Sequence, residues 1–188
     1  DINDVDVLTL SQNPSQVGVA TSTPFTNFPF AVEGNAYFNG YIRQQGIFGE
    51  IYVADSAVAQ TIPTGTTYTK STAFDTDGLC TNTTCSNAND QITLTIPGTY
   101  KVNGSFNFLD DTNNVVWRGA LFAEGVEQDQ VHWKRKISVA NDSGSASFTG
   151  FITATTTTII DFRVRHNNGG SIDLTMEYAN LNVEYIGE

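Results

Sequence analysis

The chain has 188 residues, of which 39% are hydrophobic and 15% are charged, and its formal net charge at pH 7 is −11. This length suits one β-sandwich with an appended segment and is too short for two substantial domains. Thr, Asn, Ser and Gly fill the polar share, which is typical of β proteins with many tight turns. A disordered chain would carry more charge and fewer aromatic residues. Because phosphate contacts need clustered Lys and Arg, the acidic balance excludes a general nucleic-acid-binding surface.

Residues 1–48 differ in composition from the rest of the chain. The segment is interrupted by Pro14, Pro24 and Pro29, and its aromatic surface is concentrated in Phe25, Phe28 and Phe30. We predict an N-terminal arm that anchors the protein to a partner through these three phenylalanines. The alternative is that Phe28 and Phe30 cap the end of the sandwich. No apolar stretch reaches the roughly 20 residues that span a bilayer, so we expect no membrane insertion. Because residue 1 is Asp, we expect a processed product or a fragment.

Alternation with a period of two recurs from residue 49 onward, whereas helical periodicity is nearly absent. Turn signals such as Pro97-Gly98 and the run Asn167–Gly170 separate the alternating segments. Eight strands in two sheets make an all-β jelly-roll sandwich over residues 49–188. The predicted strands are Glu50–Ala54, Gln91–Ile96, Thr99–Leu109, Val115–Glu124, Gln130–Val139, Ser145–Thr153, Thr158–His166 and Ser171–Tyr185.

Two cysteines, Cys80 and Cys85, flank a short polar run and are candidates for a local disulfide. Two free thiols are the alternative, because a short loop removes little entropy from the unfolded chain. Two cysteines and two distant histidines do not supply a zinc site. The segment Asp75–Gly78 is similar to the opening of a calcium loop, but Ser86 stands where a closing Glu is needed. We expect no metal and no cofactor.

The sequence contains no recognisable arrangement of nucleophile, base and orienting group. A Gly-x-Ser-x-Gly elbow is absent, and neither His132 nor His166 belongs to a local catalytic pattern. Asp110 and Asp111 begin a turn, where Asp side chains bond their own backbone. We therefore predict that the protein is not an enzyme.

The order of these segments resembles the C1q and tumour-necrosis-factor-like jelly-roll superfamily over about three quarters of the chain. The most characteristic fragment is Pro97-Gly98-Thr99-Tyr100, a Gly-x-Tyr entry into a long strand, and Gly150 lies in a small-polar strand that precedes the alternation at Ile159–Val164. The resembling segments are Gly49–Asp55, Ile92–Phe108, Ser145–His166 and Leu181–Ile186. The resemblance implies a compact three-fold trimer. The Thr/Asn-rich, Lys-poor strands look most like those of phage virion structural proteins, of the decoration or head-fibre type.

An apolar inner sheet would provide the surface between the three subunits. It offers more aromatic surface than one sandwich core of this size readily hides, and cyclic closure would bury the remainder. The predicted interface residues are Tyr100, Val102, Phe106, Tyr178 and Tyr185.

Basic residues are unevenly placed along the chain. The superfamily topology implied by the resemblance would bring three basic strand segments together in the outer sheet as a cationic stripe. Such a stripe could hold sulfate, phosphate or sugar acids, since guanidinium groups match planar anions. The alternative is cross-strand pairing with Asp161, Glu124 or Glu127. The stripe consists of Arg118, Lys134, Lys136, Arg163 and Arg165, with Arg135 beside it.

Together these features predict a trimeric, non-enzymatic structural protein of a tailed phage, displayed on the capsid surface and bound to the major capsid protein or another virion protein. The alternative is a receptor- or glycan-binding module of a fibre or adhesin, located outside the cell and contacting cell-surface glycans. An extracellular signalling ligand is a third possibility, which the absence of a collagen repeat disfavours.

Overall fold

The computed structural model describes residues 46–187, and the regular secondary structure of this part is almost entirely β-strand. A single 3-10 turn, Asn87–Asn89, interrupts the strands, and its first residue is preceded by Ser86, whose hydroxyl accepts the Asn89 N–H. The strands in chain order are β1 Phe48–Ala54, β2 Ala59–Ile62, β3 Thr69–Lys70, β4 Thr76–Asp77, β5 Thr83–Ser86, β6 Gln91–Leu94, β7 Gly98–Asp110, β8 Val115–Ala123, β9 Val126–Ile137, β10 Gly144–Ala154, β11 Thr158–His166 and β12 Ile172–Gly187.

The strands form two antiparallel six-stranded sheets. The first sheet has the order β10-β7-β12-β1-β4, with β2 paired to one end of β12. The second has the order β5-β6-β11-β8-β9, with β3 paired to β11. From β6 onward the chain passes between the sheets at β6 to β7, β7 to β8, β9 to β10, β10 to β11 and β11 to β12, which makes a jelly roll rather than two successive meanders. The predicted fold class is confirmed.

Aromatic side chains fill the space between the sheets. Phe106 of the first sheet stacks on Phe162 of the second with ring centroids 4.1 Å apart, and Phe108 stacks on Trp133 at 5.1 Å. All four are buried. Because burying one such side chain contributes roughly 1.5–3 kcal/mol, this cluster is a large part of what holds the two sheets together.

All eight predicted strands are present, with ends shifted by up to a few residues. Four short strands, β2 to β5, were missed because two to four residues are too few to show alternation. β1 begins at Phe48, which pairs with Glu184 and Thr81, so the sandwich starts slightly before the predicted boundary at residue 49. No helix among residues 46–187 is long and apolar enough to cross a membrane. The predicted anchoring residues Phe25, Phe28 and Phe30 lie outside the described part.

Candidate functional site

The predicted subunit interface proves to be divided between the inside and the outside of the sandwich. Tyr100, Val102 and Phe106 are buried in the core of a single chain, so their assignment to a surface between subunits is wrong. Tyr185 is half-buried and lies edge-on to Tyr100, with ring centroids 5.4 Å apart. Tyr178 alone is exposed, at 52%. The apolar side of the sheet faces the second sheet, because that is where water is excluded within one chain.

A β-bulge in β12 explains why Tyr178 differs from its neighbours. Alternation from Leu174 and Met176 predicts that Tyr178 points inward. The pairing of β12 with β7 shifts between Met176 and Tyr178, so one extra residue enters the strand there. Because side chains alternate with a period of two, one inserted residue moves the following side chain to the other face of the sheet. Ala179, and not Tyr178, continues the buried series.

The outward side of the first sheet, here called the polar face, is instead lined by the residues between the core positions. Asn, Ser and Thr occupy half of its positions, and pairing aligns its side chains in rows across β10, β7, β12 and β1. The rows are Phe151–Lys101–Glu184–Phe48, Thr149–Asn103–Asn182–Glu50, Ser147–Ser105–Asn180–Tyr52 and Ser145–Asn107–Tyr178–Ala54.

A hydrogen-bonded chain of side chains crosses the polar face. The Thr149 hydroxyl donates to Asn103 Oδ1 over 2.7 Å, and Asn103 Nδ2 donates to Asn182 Oδ1 over 3.0 Å. Asn182 Nδ2 in turn donates to Asn180 Oδ1 over 2.6 Å, and Asn180 Nδ2 donates to Glu50 Oε1. These bonds hold the amides in one orientation across four strands, and such pre-organisation lowers the entropy that a partner must remove on binding.

Apolar and aromatic side chains stand around these amides. Four of the nine exposed large hydrophobic residues of the described chain project from the polar face: Phe48, Phe151, Tyr178 and Ile186. At one end an open groove of about 560 Å³ lies between Tyr52, Tyr178 and the serines of β10. The Tyr178 hydroxyl donates to Asp55 Oδ1 over 3.0 Å, and this hydrogen bond raises the pKa of Tyr178. The alternation in β7 and β10 that predicts the inward side chains also predicts which side chains of these strands face outward on the polar face.

The second sheet carries the predicted basic stripe on its outward side. Register places Arg165 of β11 opposite Arg118 of β8, and Arg118 opposite Lys134 of β9. Lys136 lies two residues further along β9, opposite Val116. The strands therefore bring four of the five predicted cations together on one face.

Arg163 differs from the other members of the stripe. Its Nε and Nη2 donate to Asp161 over 2.6 and 3.0 Å, so one of the acidic residues named in the alternative neutralises Arg163, although Asp161 lies on the same strand and not on a neighbouring one. These bonds raise the pKa of Arg163, and the guanidinium lies over the Phe122 ring at 4.3 Å. We therefore assign Arg163 a structural role and take the remaining four cations as the candidate binding surface.

Both histidines have ordinary structural surroundings. His166 is buried, its Nδ1 accepts the Asn168 N–H over 3.2 Å, and its Nε2 lies 3.1 Å from the Ile62 carbonyl. An acceptor at Nδ1 and a donor at Nε2 correspond to the neutral imidazole, which ties the end of β11 to β2. His132 is exposed on β9. That the protein is not an enzyme stays a prediction.

A buried carboxylate missed by sequence reasoning lies at the end of β7. Asp110 is fully buried, its Oδ2 accepts the indole N–H of Trp117, and its Oδ1 accepts the Thr112 N–H over 3.2 Å. Burial raises the pKa of Asp110, and these hydrogen bonds oppose that rise. Asp110 therefore has a second role besides the predicted one in the turn, because it also accepts the hydrogen bond of the buried Trp117 indole. Nothing in the local sequence distinguishes it from Asp111.

Cys80 and Cys85 are joined in a disulfide, with Cα atoms 6.2 Å apart. The bridge closes the loop between β4 and β5 beside β1, where the Glu50 N–H contacts Cys85 Sγ at 3.3 Å. Asp77 is used within the protein, since its carboxylate accepts the Asn87 N–H. Residues 46–187 contain no group of three or more His, Cys, Asp or Glu side chains arranged to hold a metal ion.

Comparison with solved structures identifies the architecture. A tumour-necrosis-factor structure, Eiger TNF from S. frugiperda, superimposes with a TM-score of 0.54 over 77% of this chain and 95% of its own length. The chain has a TNF-like jelly-roll fold. Identity between the two sequences is 10%, so the likeness concerns the fold alone. No protein-family model and no curated protein matches this TNF-like chain. Fold by itself does not select a function, and the surfaces described above carry the argument.

Proposed function

We propose that this protein is a non-enzymatic structural subunit displayed on the capsid surface of a tailed phage, and that it assembles as a homotrimer through the polar face. The observation that carries the assembly is the exposure of four large hydrophobic side chains around an ordered amide network on one side of one sheet. Exposed apolar groups concentrated on one face mark an interaction surface.

The choice of partner follows from the chemistry of that face. The hydrogen-bonded Asn and Ser rows present both donors and acceptors, so a neighbouring copy of the chain can satisfy them. The face's one directly opposed charge pair, Lys101 and Glu184, balances to zero. A nearly neutral surface on a chain of net charge −11 is where copies of an acidic protein meet with least repulsion. In a closed three-fold ring, one part of this face on each copy contacts a different part of the next copy, which limits the assembly to a trimer.

The virion setting is supported by composition and by the N-terminal segment. Thr/Asn-rich strands and a net charge of −11 suit a subunit that covers a particle, because charge repulsion keeps coated particles from aggregating. Residues 1–45 precede a sandwich whose two sheets are complete from β1 onward. We propose that Phe25, Phe28 and Phe30 in this segment bind the major capsid protein or another virion protein, since burying each contributes roughly 1.5–3 kcal/mol.

The assembly is tested by substituting the centre of the polar face. Ser105 is exposed and lies between Ser147 and Asn180, so S105R places a long charged side chain in the middle of the interface. We expect light scattering to give three times the 20.4 kDa chain mass for the wild type and one times that mass for S105R. The matched control, T93R, carries the same new charge on the outward side of the second sheet and stays trimeric. A monomeric wild type at micromolar concentration contradicts the proposal.

Attachment to the particle is tested separately. Deleting residues 1–45 leaves β1 intact, whereas a cut after residue 48 removes Phe48 and its pairs with Glu184 and Thr81. We expect the truncated protein to stay a folded trimer and to lose co-sedimentation with capsids that lack the protein. Equal co-sedimentation of the full-length and truncated forms contradicts the anchoring role.

The second candidate function is a receptor- or glycan-binding module of a fibre or adhesin, in an extracellular setting. The observation that favours it is the row of cations across β11, β8 and β9, which the capsid role does not use.

A further inference from the structure

Three cations stand directly opposite one another on the outward side of the second sheet. Arg165, Arg118 and Lys134 are register partners on three neighbouring strands. Because strands lie about 4.8 Å apart, the row is roughly 10 Å wide at the backbone. Lys136 lies two residues beyond Lys134, about 7 Å further along β9. We name these four residues the cationic row.

No member of the cationic row forms an ion pair in the described part of the chain. Among residues 46–187 the single ion pair is Arg163 with Asp161, and none of the four cations takes part in it. The chain has nine Lys and Arg in total, so four of the nine are gathered here in a protein of net charge −11. Like charges directly opposite each other destabilise a sheet. An arrangement that costs stability and forms no internal ion pair indicates an external partner.

One member of the row is held in place before any ligand binds. The Arg165 guanidinium lies 4.7 Å from the centre of the Tyr68 ring, and its Nη1 donates to the Thr66 carbonyl over 2.9 Å. Burial raises the pKa of Tyr68, and nearby Glu127 adds to that rise. Glu127 lies toward the β8–β9 turn, opposite Phe122 and away from Lys134 and Lys136. Glu127 thus reaches the Arg165 end of the row through Tyr68, which contacts both side chains, and lies away from Lys134 and Lys136.

We infer that the cationic row binds an acidic polysaccharide, a chain that carries sulfate or carboxylate groups at intervals. Arginine forks match sulfate and carboxylate groups, and a row of three cations reaches further than one small anion. An open sheet surface suits an extended polymer rather than an enclosed small molecule. Four cations beside Glu127, on an acidic protein, suit a sparsely charged chain better than the dense phosphates of nucleic acid. This inference gives the glycan-binding candidate a site and a ligand class.

The test measures fluorescence anisotropy of a labelled chondroitin sulfate octasaccharide with the full-length protein. Arg118 and Lys134 are both exposed, so R118S/K134S removes half of the row without touching the core. We expect this variant to raise Kd about tenfold or more, because hydrogen bonds to charged groups are among the stronger contacts. The matched control is K70S/R135S, which loses the same net charge outside both the cationic row and the polar face. Arg135 neighbours Lys134 on β9 but points to the opposite side of the sheet, so we expect the control to change Kd less than about twofold.

Each outcome decides the inference. Absence of wild-type binding, equal loss in the two double variants, or equal binding of neutral dextran would overturn it. Tighter binding of a single-stranded DNA of similar charge would overturn the ligand class. Thermal unfolding of both variants controls for folding. S105R tests whether octasaccharide binding depends on trimer assembly. If the protein is not a trimer but still binds the octasaccharide, only the assembly proposal is wrong. If the protein is a trimer but does not bind the octasaccharide, only the inference about the cationic row is wrong.

Discussion

Gly119 lies at the most tightly packed point of the aromatic core, and replacing it with alanine is a direct test of the packing between the sheets. A Cβ added to Gly119 would meet the Trp133 ring and would come within 2.6 Å of Phe162 Cζ. Ordinary contacts between carbon atoms are about 3.5–4.0 Å, so both rings must move by about 1 Å. Neither is free to do so, because Trp133 stacks on Phe108 and Phe162 stacks on Phe106.

The expected loss follows from these contacts. Overpacking a filled core costs about 1–3 kcal/mol, and alanine returns up to about 1 kcal/mol by restricting the unfolded chain. We expect G119A to lower the free energy of unfolding by about 2 kcal/mol, which corresponds to a fall in Tm of about 4–8 °C. The matched control is G169A, where an added Cβ meets nothing within 4 Å, and which we expect to be neutral or slightly stabilising.

The assay is urea unfolding followed by tryptophan fluorescence, since both tryptophans, Trp117 and Trp133, are buried in the core. Measurements at several protein concentrations separate folding from association. If G119A were as stable as G169A, the two sheets would have to be packed less closely around Gly119 than the contacts of its added Cβ require, and the argument would be refuted.

Two further predictions concern Asp110 and the disulfide. Burial raises the pKa of Asp110 above the ordinary 3.8, so the folded protein binds its proton more tightly than the unfolded chain does, and the free energy of unfolding falls as pH rises from 3.8 through the folded-state pKa. We expect D110N to lose this part of the pH dependence in urea titrations; parallel curves for the two proteins would contradict the burial argument. C80S/C85S opens a loop with a sequence separation of 5, and we expect it to lower the free energy of unfolding by about 2 kcal/mol. Reduction of the wild type should reproduce that loss, and a loss above about 4 kcal/mol would show that the bridge does more than restrict the unfolded chain.

The fold was more predictable than the surfaces. Long alternating segments such as β7 and β11 predict their own strands, because the side-chain period of two is a local property of the chain. Inward positions such as Phe106, Phe108 and Phe162 follow from the same pattern. The sequence did not show what each face of the sheet contacts. We predicted that the apolar face of the first sheet contacts other subunits, whereas within one chain this face packs against the second sheet.

For the basic stripe, the sequence predicted the location of the cations but not whether acidic side chains neutralise them. The basic residues of β8, β9 and β11 were predicted to lie together, but the sequence left open whether Asp161, Glu124 or Glu127 would neutralise them. The structure answered this in two ways: Arg163 pairs with Asp161, which lies two residues before it on β11, and pairing across strands places Arg165, Arg118 and Lys134 opposite one another. The cross-strand partners lie far apart in the chain, so no local pattern encodes them.

What the sequence by itself determined is an acidic, all-β jelly roll with known inward positions in its long strands, because alternation, turn residues and charge are written locally. Only the tertiary structure decided which residues meet across strands. Register aligned the amides of the polar face and the cations of the second sheet, and one bulge in β12 turned Tyr178 from the core to the surface. The physical reason is that strand pairing joins distant segments, and a shift of one residue exchanges the two faces of a sheet.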